Sequence, residues 1–240
     1  MTPFAGTLLG TTIAAVTPRD VTAEQAARER LDAMTKPPGS LGMLEDVAAQ
    51  LAGIAGCCPA PLPTPATVAV FAADHGVHAQ GVTPWPQEVT AQMVVNFLSG
   101  GAVVNAFAAE VGAEVVVVDV GVAGTLAPAP ELLDRKVRLG TADLAEGPAM
   151  TLDEALRAVE VGIEVATRTA PGSGSLVTGD MGIGNTTATA ALVCAFTGAE
   201  PASATGRGTG VDDRTWDRKY LIVYLLLHCK LIYNQTTILK

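Results

Sequence analysis

Aromatic residues are scarce in this 240-residue chain, at 4%, and charged residues make up only 16%. A core so short of rings has to be packed from Ala, Val and Leu, as in tightly layered α/β proteins. Positive charge is outnumbered as well: 15 Lys and Arg stand against 24 Asp and Glu, a net charge of −9, with a pI near 4.7. No basic cluster is present, which argues against nucleic acid and anionic membrane as partners. A phosphate handled by so acidic a chain has to be held locally, by backbone N–H groups and a few cations. The four cysteines, Cys57, Cys58, Cys194 and Cys229, lack zinc-ligand spacing, and an adjacent pair makes no disulfide framework. Reduced thiols in a cytoplasmic protein are expected. The sequence shows no apolar run of spanning length, so no transmembrane segment is expected. Nor is a signal peptide expected from the opening MTPFAGTLLG, which has no charged n-region. What the chain does have is apolar content, 49% with mean hydropathy +0.35. That suffices for one domain with a sizeable core, or one with a small appendage.

Turn signals and apolar patterns alternate along it. TAEQAARERLDAM (22–34) reads as a helix with Thr22 as N-cap. It stops at TKPPGSLG (35–42), where Pro37 and Pro38 cannot continue it, and a second helix follows over about 41–54. The proline-rich CCPAPLPTPAT (57–67) is the best boundary between a helical N-terminal part, 1–64, and an α/β domain, 65–219. A short buried strand running into a polar turn is expected over 67–77, and strands over 114–122 and 175–180. The strand over 114–122, EVVVVDVGV, is apolar without alternation and so buried on both faces. Helices are expected over 86–101, 102–112, 151–170 and 185–198, the third opening on a capping box of Thr151 and Glu154. Strands alternating with helices imply a parallel sheet covered on both faces, a Rossmann-like three-layer α/β fold beside a small helical N-terminal domain.

Several stretches have the residues for chemistry. TGDMGIGNTT (178–187) places three glycines, Asp180 and Asn185 in a strand-to-helix seam. Such a seam offers unpaired N–H groups at the positive end of a helix, so Gly182 and Gly184 suit a phosphate cradle. The spacing fits neither Gly-x-Gly-x-x-Gly nor a Walker loop, and a tight turn needing positive φ is the plainer alternative. A second glycine loop, ATGRGTGVDD (204–213), sets Arg207 between Gly206 and Gly208. It reads as a further phosphate or ribose contact, or as a flexible turn before a helix. Asp74, His75 and His78 follow the first strand, and Asp119 closes the second, where open sheets bind ligands. Satisfied turn histidines and a strand-end cap are the structural alternatives. In WPQEVTAQM (85–93), Trp85, Gln87 and Gln92 offer a flat wall with amide donors, suited to a planar heteroaromatic ligand; a helix packed on the core is the alternative.

Taken together, TKPPGSLG (35–42), FAADHGV (71–77), PQEVTAQM (86–93), NFLSGGAVVNAFA (96–108), VVDVGV (117–122), GDMGIGNTT (179–187) and GRGTGVDD (206–213) resemble the nicotinate-nucleotide:dimethylbenzimidazole phosphoribosyltransferases, in the family's order, over roughly 20–219. The resemblance implies transfer of the phosphoribosyl group of nicotinate mononucleotide to 5,6-dimethylbenzimidazole. The products would be α-ribazole 5′-phosphate and nicotinate, in assembly of the lower nucleotide loop of cobalamin. No metal or redox cofactor is implied, and a cytoplasmic homodimer is. The phosphate would meet the N–H groups of Gly182 and Gly208 and the side chain of Lys219. Asp180 would stand near the nucleotide, and the segment around Trp85, Gln87 and Gln92 would form the base wall. The pyridinium leaving group needs little acid help, while the attacking nitrogen loses a proton and calls for a carboxylate base.

The chain also departs from that family. Members run on into a Gly-Glu-Gly-Thr-Gly-Ala-like stretch whose glutamate is the proposed base. The nearest match here, Gly206–Gly210, carries Arg207 in its place. All three tyrosines lie after residue 219, in a tail (220–240) unlike the Ala/Gly/Val idiom before it. That tail reads either as an ordinary C-terminal strand or helix, or as a break in the natural coding sequence. The expectation is a truncated or frameshifted member, weak or inactive without its base. The rival readings are a non-catalytic nucleotide-binding module and a phosphoribosyltransferase with another acceptor.

Overall fold

The structure, a computed structural model, describes residues 4–228; Cys229 and the rest of the tail lie outside them. The chain divides into two compact units, Met1–Thr64 and Pro65–Lys240.

The first unit holds three helices: α1 (Leu8–Ala15), α2 (Val21–Asp32) and α3 (Met43–Ala55). Helix α2 begins one residue before the expected start, and its cap is Asp20, not Thr22. The Asp20 carboxylate accepts from the N–H groups of both Thr22 and Ala23, and a charged acceptor at a helix N-terminus outbids a hydroxyl two residues further in. Small residues let α2 and α3 approach closely, burying Ala27, Ala49 and Ala52 together. The intervening TKPPGSLG loop is held by Lys36, which pairs with Glu45 at 2.8 Å.

The second unit is built on a parallel sheet of β1 (Ala66–Ala73), β2 (Glu114–Gly121), β3 (Leu132–Asp134) and β4 (Ser175–Met181), in the order β3-β2-β1-β4. Strand β3 has no expectation in the sequence. It is three residues long and exists only because β2 offers it an edge. Alternate residues of the central strands face opposite layers. Ala69 and Val118 pack with Val161 and Val165 of α6 (Leu152–Thr169), while Ala72 and Val117 pack with Val94 of α4 (Val89–Leu98). This is the Rossmann-like three-layer α/β arrangement. Helix α4 starts later than expected because Pro86–Glu88 forms a turn, in which the Pro86 and Gln87 carbonyls accept the N–H groups of Val89 and Thr90. Helix α5 is Val103–Glu110. Val89–Glu110 passes a length-and-composition test for a membrane span, but it is two helices broken at 99–102, each with a buried residue, Val94 and Ala108.

Helix α6 carries the expected capping box: the Thr151 hydroxyl accepts from Glu154 N–H, and the Glu154 carboxylate accepts from Thr151 N–H. Thr151→Ala is expected to cost about 1 kcal/mol, read as a lower denaturation midpoint with an unchanged slope. After β4 come α7 (Asn185–Thr197), α8 (Pro201–Ala204) and α9 (Asp213–His228). Helix α9 runs unbroken across Lys219–Tyr220, with Ile222 and Val223 buried against neighbouring elements. Trp216 and Tyr220 stack on it with ring centroids 5.7 Å apart.

Candidate active site

All four strands run the same way, so their C-terminal ends open on one edge of the sheet, where parallel sheets bind ligands. From Met181 the chain turns over 182–184 and enters α7, with Gly184 (φ 94) as its N-cap in the left-handed region. The N–H groups of Asn185 and Thr187 are taken by the Gly182 and Gly184 carbonyls; those of Gly184 and Thr186 meet no backbone acceptor among the described residues. They stand at the positive end of the helix dipole.

Lys219 reaches this seam from α9. Its Nζ donates to Thr186 Oγ1 and to the Gly206 carbonyl, each at 2.9 Å, and so ties the two glycine loops together. An ammonium has three donors, and two are used. The residue is only 1% exposed. Burial pushes its pKa down, and no nearby carboxylate opposes that shift. A buried cation held by two neutral oxygens keeps one donor that an anion could take. Around it lies a cleft of about 160 Å³, lined by Trp85, Gly182, Gly184, Asn185, Arg207 and Gly208 among others.

The two key glycines serve different ends. At Gly208 (φ 55) a Cβ would point into the cleft, 3.0 Å from Thr186 Oγ1 and 3.4 Å from Lys219 Nζ. At Gly182 it would fall on the Ala73 carbonyl and 2.8 Å from His75 Nε2. Gly182 is therefore needed first for the seam to pack on β1. Arg207 lines the cleft, but its guanidinium is tied within its own turn, to the Val211 carbonyl at 2.9 Å and to Asp213. Trp85 is half-exposed and donates its indole N–H to Thr209 Oγ1 at 3.1 Å, while its carbonyl meets His78 Nε2 at 2.9 Å.

Other candidates lie outside the cleft lining. Asp180 is exposed at the end of β4, accepting from Asn185 Nδ2 at 2.7 Å. Gln87 sits in the turn before α4, and Gln92 is exposed on that helix. His75 packs beneath Gly182 and Gly184. Burial drives its pKa down, with Asp180 and Asp74 pulling the other way. Asp74 is buried; its Oδ2 accepts from Ala123 N–H at 2.8 Å while Oδ1 has no partner among the described residues. Asp119 accepts from Val122 N–H at 2.9 Å and pairs with Lys136 at 2.7 Å, the bonding of a strand-end cap. Thr90, Thr186 and Thr209 hold the site together and are not singled out by the sequence; of the three, only Thr186, in the first turn of α7 beside the glycine seam, has a positional hint. Thr90 Oγ1 accepts from Ile183 N–H at 3.1 Å and so pins the seam to α4.

A parallel sheet with two glycine loops and a buried lysine at its C-terminal edge defines an α/β protein whose candidate site has the geometry of an anion cradle. The chain belongs to the phosphoribosyltransferase family DBI_PRT, whose model matches residues 16–237. It is 55% identical over 231 residues to a nicotinate-nucleotide–dimethylbenzimidazole phosphoribosyltransferase of Salinispora tropica, covering 90% of this chain and 64% of that one. A protein of the same name from Roseiflexus sp. is 52% identical over 217 residues, covering 90% and 61%. The crystal structure of CobT from Thermus thermophilus superposes with a TM-score of 0.82 at 52% identity, over 86% of this chain and 62% of that one. The chain thus spans somewhat under two thirds of the length of these relatives.

Proposed function

We propose that this chain binds nicotinate mononucleotide and dimethylbenzimidazole and transfers the phosphoribosyl group between them, in assembly of the cobalamin nucleotide loop. The observation that supports this best is Lys219, a buried cation without a carboxylate partner at the junction of two glycine loops. In this reading the phosphate takes the free Lys219 donor and the N–H groups at the start of α7. Gly208 leaves room for it, and Trp85 forms one wall for the flat acceptor. Holding both reactants in line supplies much of the acceleration, and the departing pyridinium relieves its own positive charge. The partners are these small molecules and a second copy of the chain, and the setting is the cytoplasm.

No carboxylate lines the cleft among the described residues. The proton released by the attacking nitrogen then falls to water, and turnover is slow. That same observation favours a second reading, a nucleotide-binding module without catalysis. Incubating the purified chain with both substrates and looking for α-ribazole 5′-phosphate by mass spectrometry decides between them. Product above the enzyme-free control supports transfer. Nucleotide binding without product supports the module, and binding of neither substrate overturns both.

A further inference from the structure

The cleft has two walls from distant parts of the chain, and one side-chain hydrogen bond joins them at its mouth. Trp85 lies on the exposed turn between β1 and α4, and its indole has a single N–H donor. That donor goes to Thr209 Oγ1 at 3.1 Å, across 124 positions of sequence. Packing alone does not hold the ring, since Trp85 is 51% exposed. The His78 ring fixes only its carbonyl, at 2.9 Å. The loop carrying Thr209 is itself well anchored. Lys219 holds the Gly206 carbonyl, Arg207 holds Val211 and Asp213, and Gly210 N–H bonds back to the Arg207 carbonyl at 3.1 Å. An anchored hydroxyl therefore sets the orientation of a ring that is otherwise free to turn.

We propose that Thr209 is a positioning residue for the acceptor side of the cleft: it fixes the Trp85 indole in the plane that receives a flat heteroaromatic base, and so ties that wall to the phosphate-binding loop. The part concerning the base rests on the reading given above; the positioning of the indole does not. Thr209 is exposed, so Thr209→Val keeps shape and fold while removing the acceptor, and Thr209→Ser restores it. Acrylamide quenching of Trp85 fluorescence, obtained by difference from Trp85→Phe, tests the positioning directly. Quenching is expected to rise in T209V and to return to the parent value in T209S. Affinity for dimethylbenzimidazole at saturating nicotinate mononucleotide is expected to fall about five-fold in T209V and to recover in T209S. Parent-like quenching in T209V overturns the proposal, as does an equal rise in both variants, which would mark a merely structural role. Raised quenching in T209V alone, in a chain whose parent binds neither substrate, leaves the positioning standing and removes the substrate reading.

Discussion

Replacing Lys219 with Met is expected to yield a chain that is more stable yet has lost its anion site. The two effects share one cause. Lys219 is buried against neutral oxygens, so its charge is desolvated without repayment by a carboxylate. A methionine of similar volume removes the buried charge; the Thr186 hydroxyl and the Gly206 carbonyl each lose one donor, a smaller cost than desolvating an ammonium. A hydrogen bond to a charged group is worth about 1.5 to 3 kcal/mol, so affinity for nicotinate mononucleotide is expected to drop by roughly ten- to over a hundred-fold. Because burial depresses the lysine's pKa, its protonation costs stability. That cost is fully present below the depressed pKa and is relieved as pH rises through it towards the ordinary 10.5. Anion affinity runs the other way, strong below the depressed pKa and lost above it. Calorimetric titration across that alkaline window is expected to show affinity falling in the parent and flat in K219M. A flat parent profile, or a variant that keeps its affinity, would place Lys219 outside the site.

The second large effect separates two glycines that look alike in sequence. Gly182→Val is expected to unfold the seam. Its new side chain lands on the Ala73 carbonyl and the His75 ring, so β4 and α7 cannot both keep their places beside β1. Overpacking of this kind costs about 1 to 3 kcal/mol and more where backbone is struck. Lost nucleotide binding in G182V therefore reports on packing before it reports on a ligand. Gly208→Ala is the cleaner probe. Its methyl faces Thr186 and Lys219, and its positive φ costs an alanine about 1 kcal/mol. Near-parent thermal stability with nucleotide affinity reduced more than ten-fold is the expected outcome for G208A. Unchanged affinity in that variant would refute the cradle.

The legible parts of the molecule were those governed by period and punctuation. Eight-residue strands such as Glu114–Gly121, and a capped eighteen-residue helix such as Leu152–Thr169, declare themselves locally. Residues 132–134 could not, because their strand character comes from a neighbour and not from their own pattern. The same divide runs through the site. Glycines of the two loops stand out by type, and Lys219 through family resemblance. Thr186 and Thr209 do not, since a hydroxyl in Asn-Thr-Thr or Gly-Thr-Gly looks like ordinary turn chemistry until its partner is known. For Thr186 a hint existed: the first turn of a helix beside a phosphate cradle is where a hydroxyl is most useful. Arg207 shows what residue type alone leaves out: a cation between glycines suggests a ligand contact, and in the structure its guanidinium bonds within its own turn while the residue lines the cleft.

The order of the strands also sets a timetable for synthesis. Strand β1 lies at the centre of the sheet with β2 on one side and β4 on the other. β2 follows within one helical crossover, but the Ser175 that pairs with Ala66 arrives 109 positions later. At about 5–20 residues per second on a ribosome, the second edge of β1 stands open for on the order of ten seconds. During that interval the nascent chain carries an apolar, β-prone edge with nothing beside it, the kind of surface that recruits other strands. Closure of the glycine seam and capping of that edge are the same event, because Gly182 sits against the end of β1. Refolding of this chain should therefore be limited by a long-range docking step, and aggregation should compete with it most strongly just before the binding cleft forms.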